Sequence, residues 1–164
     1  SAEMQREFNL HALLTDTIRM MHPKLKPGGH QVDLECDNEI KMNSFPGALS
    51  QVFINLINNA ITHAFKDSQN GQIRIEVKQQ SDQISVVFSD NGCGIAEENM
   101  SSIFAPFYTT NRAKGNTGLG MHICYNLLTQ KLGGKIKVHS KVGLGTEFAL
   151  SLPTNLGSFS TATS

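Results

Sequence analysis

The chain has 164 residues, room for one domain and little more. Its 14 Lys and Arg balance 14 Asp and Glu, so the net charge is zero, which excludes a strongly basic nucleic-acid binder or an acidic tail protein as a global description. Apolar residues at 39% suffice for a core, no signal segment or run near the ~20 apolar residues of a spanning helix is present, and three scattered cysteines without metal spacing point to a reduced, cytoplasmic setting.

Residues 1–7 are polar and read as a disordered start, with Ser1-Ala2 readable as a cloning remnant. From Phe8, apolar residues recur at three- and four-residue spacing through Met21, which predicts a helix that Pro23 and Pro27-Gly28-Gly29 end. Val32, Leu34 and Cys36 alternate with charged residues as a half-buried strand does. Ser44 before Pro46 marks a helix start, and Leu49, Val52, Phe53, Leu56, Ile57, Ala60, Ile61 and Ala64 form one broad apolar face. Gln51, Asn55 and Asn59, four apart, form a polar stripe on another face.

Strands at 73–77 and 84–88 flank a Ser81-Asp82 turn. A glycine-punctuated stretch from Gly92 to Gly118 precedes a helix over 119–132, apolar nearly all round and so expected to be buried. Two more strands flank Gly143-Leu144-Gly145, and the Ser/Thr-rich tail 154–164 reads as disordered. Helices interleaved with hairpin-linked strands predict an α/β sandwich with a mixed, largely antiparallel sheet.

Charge is unevenly spread. No acidic residue lies between Glu98 and Glu147, a stretch holding six lysines and arginines, and nine of the 14 glycines fall between Gly92 and Gly145. An anionic ligand or an ordinary solvated basic face fits that pattern. Neither a GxxxxGK[ST] loop nor a strand-to-helix GxGxxG is present.

Four segments carry possible chemistry. Asn55 and Asn59 offer neutral oxygens of the kind Mg²⁺ accepts, or face solvent or cap a loop. Asp90 continues the parity of Ile84, Val86 and Phe88, so it points to their buried side and needs a partner or ligand; an Asx turn over Asp90-Asn91-Gly92 is the plainer alternative. Gly115-Asn116-Thr117-Gly118-Leu119-Gly120 runs into a helix start, where backbone N–H groups and a partial positive charge suit an anion, with Arg112 and Lys114 just upstream. Gly143–Thr146 is a fourth, readable also as a plain hairpin turn.

In this order the segments resemble the ATP-binding domain of the GHKL superfamily, whose members include gyrase B subunits, heat-shock chaperone ATPases, MutL and histidine kinases. Gln51–Ala60 (QVFINLINNA) resembles the N-box, and Asp90–Ile95 (DNGCGI), Gly115–Ile123 (GNTGLGMHI) and Gly143–Phe148 (GLGTEF) the three glycine boxes. Ile103–Thr110 (IFAPFYTT) resembles the phenylalanine box of two-component sensor kinases. The resemblance covers residues 8–153 and implies an α+β, two-layer sandwich of the GHKL (Bergerat) type: a mixed, mostly antiparallel sheet, helices on one face, and a mobile ATP lid from about 96 to 117.

Roles then carry over as implications. Asn59 resembles the magnesium-binding asparagine, with Asn55 beside it as the second catalytic residue. Asp90 resembles the acceptor of the adenine amino group, and Gly92 and Gly94 the glycines that make room for the base, with Ile95 beside them and Phe107 from the phenylalanine box. Gly118 and Gly120 resemble the phosphate-facing backbone, flanked by Gly115, Thr117 and Leu119. Thr146 resembles the residue supporting Asp90 and a water near adenine. Many sensor kinases carry a lysine shortly after the N-box, where this chain has Thr62 and His63, so charge compensation falls to His63, Arg112 or Lys114. His122 reads as a helix-packing residue, and Cys93 has no assigned chemistry.

These features imply the Mg-ATP-binding catalytic domain of a two-component sensor histidine kinase. It would pass the γ-phosphate to a histidine on a dimerisation domain, and a response-regulator receiver would act downstream. Contact with nucleic acid or membrane is not expected for this segment, though the parent kinase is open to membrane anchoring. Rival readings are a GHKL ATPase or an anti-sigma-type serine kinase, both expected to carry glutamate where Asn55 stands, and a module that has lost nucleotide binding.

Overall fold

The computed structural model describes residues 2–105 and 120–157. Its strands are β1 (Arg6–Asn9), β2 (Gln31–Glu35), β3 (Lys41–Ser44), β4 (Gln72–Gln80), β5 (Gln83–Asp90), β6 (Lys135–Lys141) and β7 (Gly145–Pro153). Its α-helices are α1 (Leu10–Leu25), α2 (Pro46–Asn59) and α3 (Gly120–Asn126); π-helical turns extend α2 over Ala60–Ala64 and α3 over Leu127–Lys131. The main sheet has the order β2-β4-β5-β7-β6, with β2 parallel to β4 and every other pair antiparallel. β1 and β3 form a separate antiparallel pair.

Alternation drives the sheet. Ile73, Ile75, Ile84, Val86, Phe88, Phe148, Leu150 and Leu152 point to one face at 0–2% exposure, and α2 supplies Leu49, Val52, Phe53, Leu56 and Ile57 at 0–1%. Each such side chain contributes roughly 1.5–3 kcal/mol by leaving water. The layers are thus a mixed, mostly antiparallel sheet with helices on one face, an α+β sandwich.

Several local expectations are corrected. The start carries structure: Gln5 Nε2 donates to Asn43 Oδ1 at 2.8 Å, and β1 takes in Arg6 and Glu7 of the stretch read as disordered. Glu3 carboxylate oxygens accept from the backbone N–H groups of Gly47 and Ala48 at the first turn of α2. Asn9 caps α1, its Oδ1 accepting from Ala12 N at 2.8 Å, so that helix begins after Phe8. Pro23 lies inside α1, in the last turn, where losing one helical bond to the Arg19 carbonyl does not stop the chain. The helix beyond Gly120 is one-sided: Met121, Cys124 and Leu128 are buried while Ile123 and Tyr125 are 42% and 39% exposed. Residues 154–157 continue the fold through Thr154 N to Asp82 O at 2.8 Å and Leu156 N to Asn43 O at 3.0 Å. The rest of the tail lies outside the described residues.

Candidate functional site

A cavity of about 620 Å³ opens between α2 with its π turn, the segment after β5, the start of α3 and the β6–β7 hairpin. That volume is in the range of small-molecule sites. Its wall includes Asn55, Asn59, His63, Asp90, Gly94, Ile95, Gly120 and Thr146, eight residues singled out by the sequence. Phe107, Arg112, Lys114, Gly115, Thr117, Gly118 and Leu119 lie outside the described residues, with the 106–117 part of the expected lid.

Asp90 closes β5 on the buried face, as its parity requires, and is 8% exposed. Its Oδ1 accepts from Gly92 N at 2.9 Å and Thr146 N at 3.3 Å, while Oδ2 makes no hydrogen bond among the described residues. Burial pushes its carboxyl above the usual range, and the two N–H donors offset part of that rise. One carboxylate oxygen is therefore fixed by backbone and the other is left to the cavity. The Asx turn through Gly92 N and the buried carboxylate are both real; the two sequence readings are compatible.

Gly92 and Gly94 make room for neighbouring backbone. A Cβ at Gly92 would lie 2.4 Å from Ala64 O, and one at Gly94, where φ is +78°, 2.2 Å from Lys141 O. Protein backbone takes the room on both sides, and Cys93 N donates to Ala64 O at 2.9 Å. The glycines thus clamp the loop after β5 between the π turn of α2 and the end of β6. At Gly120 a Cβ would meet nothing within 4 Å, so the space there is open.

The N-box asparagines divide their work. Asn55, 9% exposed, accepts from Gln51 Nε2 at 2.9 Å and donates to Gly120 O at 3.0 Å, tying α2 to the first residue of α3. Asn59, one turn on, lines the cavity, and its side-chain amide makes no hydrogen bond among the described residues. No group of three or more His, Cys, Asp or Glu placed to hold a metal ion occurs among the described residues. A cation here would need Asn59 together with ligand oxygens and water.

Basic side chains also line the cavity. His63 follows Asn59 by one turn, and Lys66 follows His63 by another; both line the cavity, as does Lys24 of α1. Burial, and then the charge of Lys66, hold the His63 imidazole below its ordinary value. Asp90 is the only acidic residue on the described wall. The cavity wall therefore combines one acidic acceptor with the cationic side chains of Lys24 and Lys66. The sequence reading missed Lys66, although its spacing from Asn59 and His63 was a signal. It also missed Lys24, which only the packing of α1 on α2 brings near. Ser140, hydrogen-bonded to Ile95 N and Thr146 Oγ1 at 2.8 Å each, was a third omission; it continues the parity of Ile136 and Val138.

Phe104 shows how the segment before residue 106 is anchored. Its ring lies 5.2 Å from that of Tyr125 and 6.3 Å from that of Phe148, and its carbonyl meets His122 Nδ1 at 3.1 Å. His122 is thus a packing residue. No helix among the described residues is long and apolar enough to cross a membrane.

Comparison with known proteins agrees with this geometry. The chain is 33% identical over 142 residues to the alginate biosynthesis sensor protein KinB of Pseudomonas aeruginosa, covering 86% of this chain and 23% of KinB. It is 38% identical over 149 residues to the sensor histidine kinase ZraS of Escherichia coli K12, covering 90% of this chain and 31% of ZraS. The chain thus spans less than a third of these relatives. Among solved structures, the catalytic domain of histidine kinase ThkA superposes with a TM-score of 0.80 at 29% identity, covering 93% of this chain and 97% of that one. ThkA has also been solved in complex with the response regulator protein TrrA, where it superposes with a TM-score of 0.74. Residues 46–156 match the family described as histidine kinase-, DNA gyrase B-, and HSP90-like ATPase, and the chain belongs to that family.

Proposed function

We propose that this chain is the ATP-binding catalytic domain of a two-component sensor histidine kinase, holding Mg-ATP and presenting the γ-phosphate to a histidine of a dimerisation domain. The observation that carries the reading is the cavity wall, which brings a half-satisfied buried carboxylate, Asp90, together with Asn59 and the basic Lys24 and Lys66. Adenine offers an amino group to the free oxygen of Asp90, and its triphosphate extends toward the cations. Asn59 would supply the protein's oxygen to magnesium, with phosphate oxygens and water as the other ligands. The chemistry asked of the domain is positioning and charge neutralisation, as phosphoryl transfer requires.

Named sensor kinases among the relatives support the histidine acceptor, and the ThkA–TrrA complex supports a response regulator as the downstream partner. Asn55 weighs against an ATPase or serine kinase, because an amide engaged with Gln51 and Gly120 cannot act as general base. The test titrates ATP against wild type and Asn59→Ala, with and without Mg²⁺. The expected outcome is ATP binding that magnesium strengthens in wild type and not in the variant. Full magnesium enhancement in Asn59→Ala would remove the metal from that residue.

A further inference from the structure

Asp90, Thr146 and Ser140 form one row across β5, β7 and β6, paired Asp90 to Thr146 and Thr146 to Ser140 in the sheet register. Asp90 and Thr146 line the cavity, while Ser140 stands behind them. The Ser140 hydroxyl has three partners: Ile95 N at 2.8 Å, Gly145 O at 2.9 Å and Thr146 Oγ1 at 2.8 Å. A hydroxyl carries one proton. Ile95 N can only donate and the Gly145 carbonyl can only accept, so the Ser140 proton goes to Gly145 O. The contact with Thr146 then requires Thr146 to be the donor. A single assignment satisfies all three contacts, and it leaves Thr146 Oγ1 with lone pairs alone for any other partner.

Resting on the reading of the cavity as an ATP site, we propose that Ser140 is a positioning residue for base specificity: by taking the Thr146 proton it makes that hydroxyl an acceptor beside Asp90, so the base end of the cavity welcomes a 6-amino purine and rejects a 6-keto purine. The free Asp90 oxygen and Thr146 Oγ1 both seek donors. The exocyclic amine of adenine is one, directly or through a water. A 6-keto oxygen facing the same pair leaves buried acceptors unpaired, which is costly. Ser140 also holds Ile95 N, so the same hydroxyl fixes the loop carrying the base-facing backbone.

The test measures dissociation constants of Mg-ATP and Mg-inosine triphosphate, which differ at the purine 6-position, by displacement of a fluorescent ATP analogue. Ser140→Ala frees the Thr146 proton to turn toward a keto oxygen, so the preference for ATP falls about tenfold. Ser140→Thr, which keeps one hydroxyl proton, restores it. In a Thr146→Val background, Ser140→Ala changes the preference no further. An unchanged preference, equal weakening of both nucleotides, or an undiminished effect in the Thr146→Val background makes Ser140 a structural hydroxyl only and overturns the proposal. If Ser140→Ala does not melt cooperatively, Thr146→Val decides: a lost preference supports the proposal and a kept one overturns it. Wild-type chain that binds neither nucleotide defeats the ATP reading itself, an outcome distinct from binding without preference.

Discussion

Asp90 is held at a cost, and the cost has a sign. Its folded-state carboxyl titrates above the ordinary 3.8 because burial outweighs the two N–H donors on Oδ1. A group raised in the folded state contributes stability that is present below its unfolded value and lost as pH rises through the folded one. At neutral pH the ionised Asp90 therefore subtracts from stability. Asp90→Asn keeps an oxygen for Gly92 N and Thr146 N and removes the charge. The variant is expected to melt at a higher temperature than wild type at pH 7, with the advantage shrinking toward pH 4. Its ATP affinity is expected to fall at least about tenfold, since the charged acceptor for the amine is gone. Thermal melts at both pH values and a nucleotide titration check the pair; a lower melting temperature at pH 7 would mean that the two backbone bonds to the carboxylate outweigh its burial.

At the scale of elements, α2 carries the site and is finished from far away in sequence. It begins at Pro46 with Phe45 at the cap position and no side-chain cap there. Glu3 fills that role, accepting from Gly47 and Ala48 N–H, with Lys131 Nζ 3.8 Å from its Oε1. A carboxylate at a helix N-terminus satisfies orphan donors and faces the favourable end of the helix dipole. Glu3→Ala is expected to destabilise the chain by about 1 kcal/mol, read as a lower midpoint in urea with the slope unchanged. The apolar face of α2 and the β4–β5 hairpin were legible because each has a clean period over eight or more residues. β1 and β3 were not: four residues each, with a single apolar side chain apiece in Phe8 and Met42, they pair with one another across the sequence and are too short to show a period. The same distinction holds in the site. Asp90 was legible because strand parity places it. Lys24 and the partners of Ser140 were not, because they meet through packing between elements rather than along one.

For the whole molecule, the decisive feature is what the cavity can position without providing. It offers an acceptor for a base, an amide oxygen for a cation and cations for phosphates. The described wall has no acidic residue besides Asp90. Water near a γ-phosphate thus meets no carboxylate base on the described wall besides Asp90, and Asn55 cannot become one. A phosphoryl acceptor must approach in line with the departing ADP oxygen. His63 is the only histidine on the described wall, and it follows Asn59 by one turn in the π-helical extension of α2. Incubated with radiolabelled ATP, this chain alone is expected to bind nucleotide, to take up no label, and to release phosphate far more slowly than the ordinary enzyme range of about 1 s⁻¹. Mixing in a dimerisation domain that carries the acceptor histidine is expected to yield acid-labile label on that domain. Turnover near 1 s⁻¹ by the chain alone, abolished by Asn59→Ala, would place it with the hydrolytic members of its family. Stoichiometric label on the chain itself would mean that one of its own histidines reaches the γ-phosphate in line, against the geometry of α2.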